Sequence, residues 1–98
     1  MTTNDYRWKD IEENYNDLGE LSYQLKTGAS TYRGIKLGDS IDEIKKQYGI
    51  PADCFNNDDG SECIRYLSEY IPGTSIAVFL EFTLVNDVLI KAVIKLSV

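Results

Sequence analysis

The sequence predicts an α+β domain: an N-terminal helix, a β-hairpin, a short capped helix, then a three-stranded antiparallel meander packed against the helices. Three observations carry that expectation. Apolar residues recur at helical spacing near the start, Ser40 and Gly49 bracket a second helical run, and the last third alternates apolar with polar residues between turn signals. At 98 residues the chain is expected to form a single domain, 1–98, around one core.

In residues 4–18, Trp8, Ile11, Tyr15 and Leu18 are spaced three, four and three apart, with Asp10, Glu12, Glu13 and Asp17 between them. That is the pattern of an amphipathic helix, capped by Asn4 or Asp5 and stopped at Gly19. Leu21, Tyr23 and Leu25 then alternate with polar neighbours and read as a strand closing at the turn-like 27–30, with 31–37 returning as its partner.

In 38–51 Ser40 is placed to cap a helix, and Glu43 stands where a capping box needs its acidic partner. Ile41, Ile44 and Tyr48 share one face, Lys45 and Lys46 suit the negative end of the dipole, and Gly49 with Pro51 forbids continuation. Residues 52–62 are polar and read as a loop. Three strands follow: 64–71, 76–85 and 88–97. Pro72-Gly73 suits a type II turn, and Asn86-Asp87 tolerates the left-handed torsions of a tight hairpin. Alternation assigns Ile76, Val78, Leu80, Phe82 and Leu84 to the core with Ile90, Ala92, Ile94 and Leu96. The other face of the middle strand holds Ala77, Phe79, Glu81, Thr83 and Val85, half apolar and unlike a fully solvated surface.

Ten Lys and Arg against sixteen Asp and Glu leave a net charge of −6. That sign repels phosphate backbones and acidic membrane surfaces, so direct nucleic-acid binding is not expected. No apolar run reaches the roughly 18 residues of a membrane span, and Met1 to Tyr6 lacks a basic region followed by an apolar stretch. The expectation is a cytoplasmic protein, or a secreted one if a signal peptide has been removed. Cys54 and Cys63 fit either a bridge in an oxidising compartment or, as expected without a signal, two unpaired thiols.

The chain has no histidine, which removes the commonest general base and the commonest transition-metal ligand. Neither cysteine has a His to activate it, and acidic neighbours oppose thiolate formation at Cys54. Asp58, Asp59 and Glu62 crowd one loop without the fixed separation that paired-carboxylate hydrolysis needs. Asn57, Asp59 and Gly60 echo part of a calcium loop, but Phe55 and Tyr66 occupy its first and last ligand positions, so turn chemistry is the better reading. Gly28, Gly34 and Gly38 lack the spacing of a phosphate loop. No enzyme, cofactor or metal is expected.

Aromatic residues make up 11% of the chain, and Tyr and Trp supply many binding hot spots because they bury large area with few torsions to freeze. Tyr6, Tyr32, Phe55, Tyr70 and Phe79 fall off the core stripes or in loops. With Trp8 and the acidic pair Asp58 and Asp59 they form the candidate binding set.

Ile35-Lys36-Leu37-Gly38-Asp39-Ser40-Ile41-Asp42-Glu43-Ile44, followed by Tyr48-Gly49-Ile50-Pro51, resembles the motif of the SmpA/OmlA outer-membrane lipoproteins and the related β-lactamase-inhibitor-like domains. The chain differs in carrying Asp39 where that group usually has Met. The resemblance implies a scaffold whose sheet or loops grip another protein, and it implies no catalytic residue. The expected function is a non-catalytic protein-binding module, an inhibitor or immunity-type factor, acting on another protein with a basic surface. The alternatives are an assembly domain of an envelope lipoprotein system and an acidic mimic of nucleic acid.

Overall fold

The computed structural model describes residues 14–19, 22–31, 33–70 and 73–97. These residues form a six-stranded antiparallel sheet, not the α+β arrangement expected, with one helix among them. The strands are β1 (Tyr15–Gly19), β2 (Ser22–Leu25), β3 (Asp53–Asn56), β4 (Glu62–Tyr70), β5 (Ala77–Val85) and β6 (Val88–Ser97), and the helix is α1 (Ile41–Tyr48). Their order across the sheet is β1-β2-β6-β5-β4-β3. The chain therefore leaves β2 beside β6 and, by way of α1, reaches the opposite edge before running back through consecutive hairpins.

The largest correction concerns the expected N-terminal helix. Its final residues lie in β1, where Tyr15 pairs with Leu25 and Asp17 with Tyr23, while residues 4–13 lie outside the described residues. Asn16 and Asp17 are poor helix formers, and burying Tyr15 in the sheet, at 4% exposure, outweighs a spacing compatible with a helix. β2 likewise pairs with β1 and β6 and not with 31–37. That segment instead closes on itself through a Ser30 to Lys36 bridge and the Thr31 hydroxyl, which accepts from the Ile35 amide at 3.1 Å. The polar stretch 52–62 contains a strand, β3, paired along β4.

α1 has the ends its sequence specifies. Ser40 Oγ accepts from the Glu43 amide at 3.1 Å, and the Gly49 N–H donates to the Lys45 carbonyl from a left-handed φ of 86°. The reciprocal half of the capping box is absent, because the Glu43 carboxylate accepts from Gln47 instead. The helix is tied to the β5–β6 hairpin by three bonds: Ile41 N–H to the Asp87 carbonyl, Gly38 N–H to Leu89, and Leu89 N–H to Asp39. Asn86 and Asp87 take φ of 52° and 64°, and Val85 faces Val88, as a two-residue primed turn requires. Gly73 has the positive φ, 78°, that a type II turn places there, while Pro72 lies outside the described residues.

The core lies between α1 and one face of the sheet. Ile44, Ile64, Leu80, Phe82, Ala92 and Ile94 are fully buried there, with Leu25, Ile35, Leu84 and Leu89. Tyr48 and Tyr66 pack their rings around Phe82 at centroid distances of 5.4 and 6.0 Å. Each hydroxyl has a partner, since Tyr48 donates to Thr31 Oγ1 and Tyr66 to the Gly49 carbonyl, both at 2.8 Å. Burial, with a smaller contribution from Cys54, pushes the Tyr66 phenol up to about 12. Two core assignments are not met: Ile76 lies just before β5 and is only partly buried, and on β6 the expected alternation is reversed. A register shift opposite Thr83 and Leu84 leaves Ile90 unpaired in a bulge and half exposed, and Leu89 takes the buried position.

Candidate interaction surface

Cross-strand partners share a face, so the register defines what the sheet shows on the side away from α1. One row runs Phe55, Cys63, Thr83, Lys91. The next runs Asp53, Arg65, Glu81, Val93, Gln24, and the third holds Leu67, Phe79, Lys95 and Ser22. Val85 and Val88 extend this side at the hairpin end, because their neighbours Leu84 and Leu89 point into the core.

Arg65 organises the centre. Its guanidinium lies 5.5 Å from the centroid of Phe55 on one side and 5.6 Å from that of Phe79 on the other. Its Nε donates to Glu81 Oε2 at 2.8 Å, Lys95 approaches the other Glu81 oxygen at 3.3 Å, and Asp53 stands 3.9 Å from Nη1. Phe55 and Phe79, chosen from the sequence as aromatics off the core stripes, are thus brought together by a residue that sequence reasoning missed. Arg65 and Glu81 left only a faint signal, the one cation of β4 and the one charge of β5. Their pairing depends on a register that bulges make unreadable from composition.

Among the described residues the exposed large hydrophobics are Ile50, Phe55, Leu67, Val85, Val88 and Ile90. Phe55, Leu67, Val85 and Val88 lie on this outer face by register, with Ile90 in the bulge beside it. Single exposed apolar residues are ordinary, whereas four on one sheet face make that face the candidate surface.

The β3–β4 hairpin borders the face. Asp53, Asp58, Asp59 and Glu62 lie within 53–62, which contains no Lys or Arg. Asp58 and Asp59 are exposed at the turn. Asp59 Oδ1 accepts from the Ser61 hydroxyl at 2.6 Å and the Ser61 amide at 2.9 Å, and these bonds hold its carboxyl below the usual carboxylate value. Asp59 therefore builds the turn, while Asp58 presents a charge. Tyr70 lies at the end of β4 opposite Ala77, and Tyr6, Trp8 and Tyr32 lie outside the described residues.

Cys54 and Cys63 are both free. Cys63 shares the outer row with Phe55, whereas Cys54 pairs with Ile64 on the opposite face, so the two thiols point away from each other. Burial, reinforced by the Glu81 charge, raises the Cys63 thiol and keeps it protonated. Among the described residues no group of three or more His, Cys, Asp or Glu is placed to hold a metal ion, and no helix is long and apolar enough to cross a membrane. Comparison with protein-family models, with curated proteins and with solved structures finds no match to the chain.

Proposed function

We propose that the chain is a non-catalytic protein-binding module, of the inhibitor or immunity-factor kind, which presents the outer sheet face to another protein. The observation that carries this reading is the concentration of exposed Phe55, Leu67, Val85 and Val88 on the face opposite α1, around a guanidinium held between two rings. Such a face offers apolar area with little side-chain freedom left to freeze on binding. The acidic hairpin beside it and the net charge of −6 favour a partner with a basic surface. The likeness of Ile35 to Pro51 to the SmpA/OmlA and inhibitor-like motif supports the same reading.

The test is retention of a stoichiometric protein partner by the immobilised, folded chain across a salt series. The expected result is a partner whose binding weakens as sodium chloride rises but persists at high salt through the apolar contact. Retention of nothing, or binding indifferent to salt, contradicts a basic partner.

A further inference from the structure

We infer that β3 is a strand-addition site, and that its occupant is an extended segment of another protein carrying Lys or Arg. β3 is the last strand of the sheet, and all four of its residues are exposed. The hydrogen bond at its turn end sets its alternation. Asn57 N–H donates to the Ser61 carbonyl at 2.8 Å, so with the observed register Phe55 and Asp53 bond to β4, and Ala52, whose N–H also reaches the Arg65 carbonyl at 2.8 Å, is the extra residue of a bulge just before the strand. Cys54 and Asn56 therefore aim their N–H and C=O groups outward, away from β4. An edge of this kind is a template for another strand unless it is blunted.

The two edges of the sheet are treated differently. β1 carries a register shift between Asp17 and Gly19, and the Asp17 carboxylate accepts from the Gly19 amide at 3.2 Å, which turns that edge aside. β3 pairs without a shift from Asp53 to Asn56. The charge near it selects the occupant. The hairpin residues 53–62 hold four carboxylates and no cation, so a second copy of the hairpin is repelled and a cationic strand is attracted. An added strand would place alternate side chains beside Phe55 and Asp53 on the outer face, and the others beside Cys54.

This site is the backbone edge that borders the outer sheet face, and the experiment distinguishes edge pairing from capture by the face. The ¹⁵N-labelled full chain is titrated with a capped six-residue peptide alternating Lys and Val, with its Glu-Val counterpart, and with a Lys-Val peptide N-methylated at two adjacent central residues so that neither edge can pair. The expected result is that the Lys-Val peptide shifts the Cys54 and Asn56 amides and slows their hydrogen exchange at least tenfold at saturation. The methylated and Glu-Val peptides bind at least tenfold more weakly, and Asp58→Asn weakens the Lys-Val peptide severalfold. The inference is overturned by no binding at millimolar peptide, by unchanged Cys54 and Asn56 exchange at saturation, by equal binding of the methylated peptide, or by shifts confined to Leu67 and Val88. None of the failures at β3 bears on protein capture by the outer face.

Discussion

Removing the Arg65 side chain tests whether the outer face is a built surface or a chance grouping of exposed residues. In Arg65→Ala four interactions go together, of which the 3.9 Å approach to the exposed Asp53 contributes least. The charge-assisted bond to Glu81, 2.8 Å long, joins a carboxylate side chain only 13% exposed to an arginine 32% exposed. Hydrogen bonds to charged groups contribute about 1.5–3 kcal/mol when well shielded, and the partial exposure of Arg65 reduces this to roughly 1–1.5 kcal/mol. The contacts with Phe55 and Phe79 add about 0.5 kcal/mol each, the value for exposed cation–π pairs. Lys95, 3.3 Å from Glu81, limits the loss by remaining as a counter-charge. The expected destabilisation is about 2 kcal/mol, read from urea unfolding followed by circular dichroism. Arg65→Lys keeps the charge but loses the planar stacking, and is expected to lose about half as much. A double-mutant cycle with Glu81→Gln should return a coupling of about 1 kcal/mol. A loss under about 0.5 kcal/mol for Arg65→Ala, with no coupling to Glu81, would refute the reasoning.

Ile44→Ala removes the one fully buried residue of α1 and is expected to cost about 2–5 kcal/mol; a loss below about 1 kcal/mol would mean that the helix does not seal the core. Of the two free thiols, only Cys54 should react promptly with a water-soluble disulfide reagent, and Cys63 should become reactive on unfolding; equal rates in the native state, or an internal disulfide after mild oxidation, would contradict the register. Spectrophotometric titration should show a phenol ionising at about 12 that disappears in Tyr66→Phe. Because that value lies above the unfolded one of 10.0, the Tyr66 contribution to stability is complete below pH 10 and is lost as pH rises towards 12.

The elements legible in the sequence were those determined locally. Ser40, Gly49 and Pro51 bound α1 by capping and steric rules that involve few neighbours. Asn86-Asp87 marks the β5–β6 turn for the same reason, and alternation places Val78, Leu80, Phe82 and Leu84 in the core. What escaped depended on distant parts of the chain. Tyr15 fits a helical stripe as well as a strand, and only its pairing with Leu25 decides between them. β3 is short, polar and exposed, so no apolar alternation announces it. Ile90 sits outside the core because one bulge reverses the local alternation. The surface was visible in part, through the half-apolar second face of β5 and through Phe55 and Phe79. The Arg65–Glu81 link between them needed the register of β3, β4 and β5 together.

Side-by-side capture of a protein partner by the wild-type chain, Leu67→Lys and Ile50→Lys tests the central claim most directly, with circular dichroism confirming that each remains folded. Leu67 is exposed on the outer face, and Ile50, the most exposed large apolar residue described at 94%, lies at the end of α1 away from it. Both substitutions should change stability by no more than about 0.5 kcal/mol. The account predicts that the wild type and Ile50→Lys retain the same partner while Leu67→Lys loses it, and retention by Leu67→Lys with loss by Ile50→Lys would contradict it.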